Sequence, residues 1–259
     1  MLRARSSYRL MSTLKNLNTK SLQKGDSAPG APASGQVRIY NMRFCPWAER
    51  AVLYLALKQI PAEVVNIHLK EKPEWYFEKH PEGKVPAVEV DGEVTIESGL
   101  IPEYLDDKYP ENRILPTDAF AKFEQKLLVE KLSSLSTCFY GLISALKDPS
   151  LAEEKYAVVK ATFEKAESLL QNKFYGGEKL GYADILVFPF FERHNWVATL
   201  GKGPLDGTAF PGKEYPKLTE YFAAMQAVPE IRANTMSTDA YKAFFASYVS
   251  GTTDFDAGL

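Results

Sequence analysis

The stretch that decides the fold is Val37-Arg38-Ile39-Tyr40-Asn41-Met42-Arg43-Phe44-Cys45-Pro46. It begins with alternating apolar and polar residues, which predict a short strand, and continues into a tight bend that holds Cys45. Pro46 favours the first position of a helix, because its missing N–H would be unsatisfied there in any case. Cys45 is therefore predicted to be an N-cap residue, beside free backbone N–H groups and the positive end of a helix dipole.

From this stretch to residue 110, strand and helix signals alternate. The predicted elements are a strand at 37–40, a helix at 46–58, a strand at 63–69, a short helix at 73–79, strands at 85–90 and 93–96, and a helix at 100–108. Asp91-Gly92 separates the last two strands and favours a type I′ turn. The order β-α-β-α-β-β-α predicts that residues 37–110 form a thioredoxin-like α/β domain.

Strand signals almost vanish after residues 111–118, which contain Pro116 and are predicted to be an interdomain linker. Apolar residues then recur at helical spacing in five segments: 119–146, 153–171, 181–200, 216–228 and 238–248. Residues 119–259 are therefore predicted to form an all-helical domain. The predicted fold class is α/β plus all-α, with a thioredoxin-like domain first and the helical domain second.

Residues 1–36 differ from the rest of the chain. Six basic residues precede the first acidic residue, Asp26, and serines are interspersed. We predict a disordered extension followed by a Pro/Gly/Ala/Ser linker at 27–35. The alternative is a mitochondrial transit peptide, which has the same basic, acid-free composition.

The bulk composition excludes several classes of protein. The 259 residues carry a net charge of −2, which gives no electrostatic basis for binding nucleic acid or anionic membranes. No apolar run is long enough to predict a membrane span. The three histidines show no metal-ligand spacing with each other or with cysteine, so no metal site is predicted. Two cysteines argue against a secreted disulfide framework and predict a cytoplasmic protein.

Cys45 is the first candidate for chemistry. A Cys-x-x-Cys redox pair would need a second thiol at position 48, where this chain has Ala48. A redox-active Cys45 therefore needs a thiol from solution, and glutathione is the commonest one in cytosol. A helix N-terminus is worth at most ~2 kcal/mol, so it does not by itself make the thiolate the dominant form at neutral pH. The alternative is an inert, buried cysteine, which is how we interpret Cys138 within its apolar helix.

Two further dipeptides flank the predicted hairpin. Pro86 cannot donate to a sheet ladder and is a candidate cis proline, which in a thioredoxin-like domain brings the Val85 backbone next to the thiol. Glu97-Ser98 lies at the start of the next helix. Ser98 is predicted to cap that helix; Glu97 and the helix end are also suited to an α-amino and an α-carboxylate group.

Several motifs together resemble the omega class of glutathione transferases. They are Arg43-Phe44-Cys45-Pro46-Trp47-Ala48-Glu49-Arg50, Lys72-Pro73-Glu74-Trp75, Val85-Pro86, Ile96-Glu97-Ser98, Glu103-Tyr104-Leu105-Asp106, Phe190-Phe191-Glu192-Arg193 and Asp256-Ala257-Gly258-Leu259. The resemblance extends from about residue 35 to the C-terminus. It implies glutathione as co-substrate, no metal, and a homodimer. It also implies thiol transferase, dehydroascorbate reductase and methylarsonate reductase activities, with weak glutathione conjugation.

The resemblance also implies roles for individual residues. Cys45 would be the nucleophile that forms a mixed disulfide with glutathione. The glutathione contacts would come from Trp47, Lys72, Val85, Glu97 and Ser98. Phe191, Tyr241 and Tyr248 of the helical domain are expected to line the co-substrate pocket. Two alternatives remain: a ligand-binding relative without turnover, and a chloride-channel-like protein of related fold that inserts into membranes.

Overall fold

A five-stranded sheet carries one half of the site. The structure is a computed structural model that describes residues 14–259. The strands of the sheet are β1 (Leu14–Lys15), β2 (Val37–Asn41), β3 (Ala62–Asn66), β4 (Ala87–Val90) and β5 (Glu93–Ile96). Their order across the sheet is β1-β3-β2-β4-β5. β3 pairs in parallel with β1 and β2, whereas β4 pairs antiparallel with β2 and β5. The Asp91-Gly92 turn has positive φ at both residues, as a type I′ turn requires.

Helices cover this sheet and form the second half of the chain. They are α1 (Pro46–Leu57), α2 (Ile101–Lys108), α3 (Ala119–Lys131), α4 (Ser134–Lys147), α5 (Ala152–Leu169), α6 (Tyr182–Thr199), α7 (Pro216–Gln226), α8 (Pro229–Asn234) and α9 (Thr238–Ser250). A short 3₁₀ helix at Glu74–Glu78 follows β3. The predicted fold class, a thioredoxin-like domain followed by an all-helical domain, is confirmed.

The two halves meet where α1 packs against α6 and α8. α1 lies between the sheet and the helical domain, so Ala51, Leu53 and Leu55 are completely buried. Each buried leucine of this kind contributes ~1.5–3 kcal/mol of transfer free energy. α6 is buried along almost its whole length, and Asp184 at its start accepts hydrogen bonds from the N–H groups of Gly181, Tyr175 and Gly176. This packing places the first turn of α1 at the boundary between the domains.

Two predictions about the helical domain were wrong. The periodicity from 119 to 146 predicts one helix, but the structure has α3 and α4, separated by Leu132 and Ser133. Leu132 is buried at this break, so the apolar period continues through the turn and hides it. Residues 229–234 were not predicted to be helical, yet they form the short helix α8.

The predicted disorder of the N-terminal segment was also wrong over residues 14–22, whereas residues 27–35 contain no helix or strand, as predicted for a linker. β1 adds to the edge of the sheet, and Leu14 and Leu17 are buried. The Asn66 side chain donates to the carbonyls of Leu17 and Thr19 at 3.0 and 2.9 Å. The segment is ordered because it satisfies backbone groups of the sheet edge, a long-range effect that composition does not report. The targeting alternative concerns residues 1–13, which lie outside the described residues.

Within residues 14–259, no helix combines the length and the apolar character that a membrane span requires.

Candidate functional site

A cavity of about 890 Å³ lies between the two domains. The thioredoxin-like half contributes six predicted residues to its lining: Cys45, Trp47, Lys72, Val85, Glu97 and Ser98. The helical half contributes an aromatic wall that consists of Phe139, Tyr140, Trp196, Tyr241, Phe244, Phe245 and Tyr248. The cavity is large enough for a tripeptide beside a small second substrate.

Cys45 occupies the N-cap position of α1 in an extended conformation, as predicted. Its N–H donates to Met42 at 2.9 Å, which closes the bend, and its carbonyl accepts from the Glu49 N–H at 3.0 Å. The side chain lines the cavity although the residue is only 8% exposed. The bend therefore presents one thiol at the floor of the cavity.

Burial raises the pKa of the Cys45 thiol. The Ala48 N–H and the Arg193 guanidinium act in the opposite direction, and the Glu49 carboxylate adds to the increase. Burial disfavours the thiolate because a charge loses its hydration. The helix N-terminus alone therefore does not activate this thiol, and the surrounding charges decide its ionisation.

Val85 precedes Pro86 through a cis peptide bond, and both residues line the cavity just before β4 begins. Backbone groups at the start of an exposed strand can pair with the peptide groups of a ligand.

The Glu97-Ser98 turn lies on the same side of the cavity. Glu97 has φ +71°, a left-handed conformation that costs energy for a residue with a Cβ, and its side chain is exposed. Ser98 is buried and accepts a hydrogen bond from Arg50 at 3.2 Å. The prediction that Ser98 caps the following helix was wrong, because α2 starts after Leu100 and the Ser98 hydroxyl is held by Arg50.

Trp47 and Lys72 are each held in place by neighbouring residues. The Trp47 indole N–H donates to the Tyr140 hydroxyl at 3.1 Å, and the Arg50 guanidinium lies 4.6 Å from the Trp47 ring centroid. The Lys72 stem packs over Gly83, where a Cβ would lie 2.7 Å from Lys72 Cδ. Gly83 therefore leaves the room that keeps the Lys72 ammonium at the cavity.

On the helical side the structure separates the three predicted residues. Tyr241 and Tyr248 line the cavity. Phe191 does not: it is 1% exposed and packs against Phe163 and Tyr221 inside the helical domain. The expectation for Phe191 was therefore wrong, because its position on α6 faces the core.

Several lining residues were missed, among them Arg193, Trp196 and Tyr140. Arg193 and Trp196 are three positions apart on α6, a spacing that places them on one helical face. That spacing could have indicated them, whereas Tyr140 comes from a different helix and carries no comparable signal. Within residues 14–259, no three His, Cys, Asp or Glu side chains converge as metal ligands would.

Comparison with known proteins defines the class. A model described as "Glutathione S-transferase, N-terminal domain" matches residues 39–113, and one described as "Glutathione S-transferase, C-terminal domain" matches residues 137–229. Both halves of the chain thus match the glutathione transferase fold. A crystal structure of glutathione transferase Omega 1C from Trametes versicolor shares this fold with a TM-score of 0.72 at 24% identity, over 85% of this chain and 99% of that one.

Similarity to curated relatives identifies which class of glutathione transferases the chain resembles. The probable glutathione transferase omega-2 of Caenorhabditis briggsae is 46% identical over 253 residues, 96% of this chain and all of the relative. The human glutathione S-transferase omega-2 is 34% identical over 246 residues, 93% of this chain and 98% of the relative. The chain belongs to the omega class of the glutathione transferase family. A glutathione-dependent transferase function, with glutathione as co-substrate, accompanies that membership.

Proposed function

We propose that the protein is a thiol transferase and dehydroascorbate reductase that works through a mixed disulfide between Cys45 and glutathione. The observation that carries this proposal is the lone thiol of Cys45 at the floor of the cavity, with Ala48 at the place of a resolving cysteine. Cys138 is buried in α4 beside His194, 3.3 Å from its Nε2, and does not line the cavity. The resolving thiol is therefore external.

The proposed reaction consists of two thiol–disulfide exchanges. The Cys45 thiolate attacks the glutathione sulfur of a mixed disulfide, a Cys45–glutathione bond forms, and the other thiolate leaves. A second glutathione thiolate then attacks the Cys45-bound glutathione sulfur, oxidised glutathione leaves, and the Cys45 thiolate is restored. With dehydroascorbate, two glutathione molecules supply the two electrons and two protons that form ascorbate, and they are oxidised to one disulfide.

Five residues are proposed to hold glutathione. The Val85 backbone pairs with its cysteinyl peptide groups, and Lys72 attracts a carboxylate. Glu97 and Ser98 contact the γ-glutamyl end, where Glu97 binds the ammonium group and the Ser98 turn faces the carboxylate. Trp47 covers the tripeptide from the domain boundary. All five line the cavity with Cys45, which supports this arrangement.

The co-substrate is proposed to bind against Tyr241 and Tyr248 in the aromatic wall. Methylarsonate reduction and weak conjugation are secondary activities of the same thiol and the same glutathione site.

We place the protein in the cytoplasm, where its two free cysteines stay reduced. We also propose a homodimer, which the exposed apolar side chains of Leu100, Phe120 and Phe123 support.

The test is an intact mass measurement after treatment with oxidised glutathione. The protein is expected to gain one glutathione, and Cys45→Ala is expected to gain none and to lose dehydroascorbate reduction by at least ~100-fold. Cys138→Ala is the matched control, and we expect it to gain one glutathione and to reduce dehydroascorbate as the parent does. Substantial dehydroascorbate reduction by Cys45→Ala would contradict the proposal. If the unmodified chain binds glutathione without forming the disulfide, it is a ligand-binding protein.

A further inference from the structure

A buried group of three charged side chains lies behind Cys45. It consists of Glu49 on α1 and of Glu192 and Arg193 on α6, which we call the charge triad. Arg193 Nη1 donates to Oε2 of Glu192 at 2.7 Å and also to Oε2 of Glu49. The three residues are 1–7% exposed. One cation therefore bridges two carboxyl groups where water does not screen them.

The two carboxyl groups lie side by side. The Oε2 atoms of Glu49 and Glu192 both accept from the same nitrogen, Nη1 of Arg193. Among the described residues, Oε1 of each has no hydrogen-bond partner. Two carboxylates in such a place cannot both ionise at low cost, because one guanidinium compensates only one of them. The arrangement suits a single proton shared between Glu49 and Glu192.

This proton matters because two members of the triad, Arg193 and Glu49, act on the thiol. Arg193 lines the cavity with Cys45, and Glu49 is one helical turn after Cys45. Arg193 favours the Cys45 thiolate, whereas Glu49 opposes it. With the shared proton in place, the triad has no net charge. Once the proton is lost, the triad carries one negative charge and repels a thiolate.

We propose that Glu49, Arg193 and Glu192 are positioning residues for Cys45, and that one proton shared by the two glutamates keeps the charge triad neutral so that the thiol can ionise. This proposal rests on the proposed role of Cys45 as the nucleophile. Burial raises the pKa of Glu192 to about 8, which agrees with a proton retained at neutral pH.

The other titratable groups around Cys45 do not change their charge in the pH range where the triad loses its proton. Those that interact with Cys45 electrostatically are Arg50 of α1, Tyr76 of the 3₁₀ helix, Tyr140 of α4 and Tyr241 of α9. The pKa values of all three tyrosines are raised by burial, so they remain neutral where the triad titrates. Arg50 stays a cation near pH 8, because burial lowers its pKa only to about 10. Arg43 lines a second small cavity with the triad, but its guanidinium donates to the Ala257 carbonyl at 2.9 Å and its charge interacts with Asp254 and Asp256.

The test is the rate of Cys45 alkylation by iodoacetamide as a function of pH, with the modified residue identified by peptide mass. Glu192→Gln removes the second carboxylate and keeps the triad neutral at every pH. We expect its rate profile to match the parent below pH 7 and to be roughly three- to tenfold faster between pH 8 and 9. Glu49→Gln is expected to shift the profile in the same direction.

Glu89→Gln is the matched control. Glu89 is a buried carboxylate that pairs with one cation, Lys79, on the sheet, so its loss should leave the alkylation profile unchanged. Infrared difference spectra should show a protonated carboxyl band in the parent at pH 7 that is absent from Glu192→Gln. Identical profiles in the parent and Glu192→Gln, in a protein whose Cys45 still forms the glutathione disulfide, would overturn this inference alone. Failure of the parent to form that disulfide would overturn the proposed function instead.

Discussion

Trp47 and Tyr140 join the two domains across the rim of the cavity, with 3.1 Å between the indole nitrogen and the phenolic oxygen. Trp47 is the second residue of α1, and Tyr140 lies in the middle of α4. The bond holds the Trp47 ring edge-on against Phe190 and over Arg50. Trp47, two positions after Cys45, is therefore positioned by the helical domain.

Tyr140→Phe tests this relationship. The variant keeps the ring and loses the hydroxyl, so we expect the free energy of unfolding to fall by ~0.5–1 kcal/mol, because Tyr140 is partly exposed. We also expect a higher KM for glutathione, since Trp47 is no longer held. Urea unfolding and steady-state kinetics measure the two effects. Tyr156→Phe, on α5 away from the cavity, is the control, and equal effects of both variants would refute the role of Tyr140.

The Glu97 backbone is held in a strained conformation beside the cavity. Glu97→Gly relieves the left-handed strain and is expected to stabilise the protein by ~0.5–1 kcal/mol after the entropic cost of glycine. The same variant is expected to bind glutathione at least ~10-fold more weakly, because it loses the carboxylate. Calorimetric titration with glutathione and thermal unfolding separate these outcomes.

Gln59→Gly provides the matched comparison for Glu97→Gly. Gln59 also has a left-handed backbone, φ +59°, but lies after the end of α1 and outside the cavity lining. The Gln59→Gly variant is expected to raise the stability of the protein by a similar amount and to leave its affinity for glutathione unchanged. If Glu97→Gly binds glutathione as the parent does, Glu97 has no part in the site.

The N-terminal segment is tied to the C-terminal tail. The Ser21 N–H donates to the Asp256 carboxylate at 2.8 Å, and Arg43 donates to the Ala257 carbonyl at 2.9 Å. Asp256→Ala is expected to speed tryptic cleavage after Lys15, Lys20 and Lys24 several-fold, with a loss of ~1–2 kcal/mol in unfolding free energy. Asp239→Ala, at the exposed start of α9, is the control, and equal cleavage rates would contradict the tie.

His194 predicts acid sensitivity of the fold. Burial lowers the pKa of His194 to about 4, whereas an unfolded histidine has a pKa of ~6.5. Between these values the unfolded chain binds a proton that the folded chain does not, so stability falls as the pH decreases from 6.5 towards 4. The loss is ~3 kcal/mol at ~1.4 kcal/mol per pKa unit.

His194→Leu should flatten this pH dependence, although it also loses a contact with the Leu135 carbonyl at 3.3 Å. Urea unfolding at several pH values between 4 and 7.5 gives the slope for parent and variant. Equal slopes would show that other groups cause the acid sensitivity.

The parts of the site that could be predicted are those whose residues are close together in the chain. The N-cap position of Cys45 depends on the bend and on Pro46, and the missing partner thiol depends on position 48. The hairpin follows from Asp91-Gly92 in the same way. In contrast, Phe191 and Trp196 are both apolar residues of α6, and only the packing of that helix decides that Trp196 reaches the cavity and Phe191 does not.

The linear order of residues determined the fold class and the N-cap position of Cys45, because strand alternation, helix starts and the Cys45-Pro46 bend are local properties. The tertiary structure decided how that thiol is surrounded. Arg193 and Glu192 are more than 140 positions from Cys45, and nothing local predicts that they meet Glu49 behind it. Burial and charge come from the packing of α1 against α6, and these two quantities set the ionisation of a thiol.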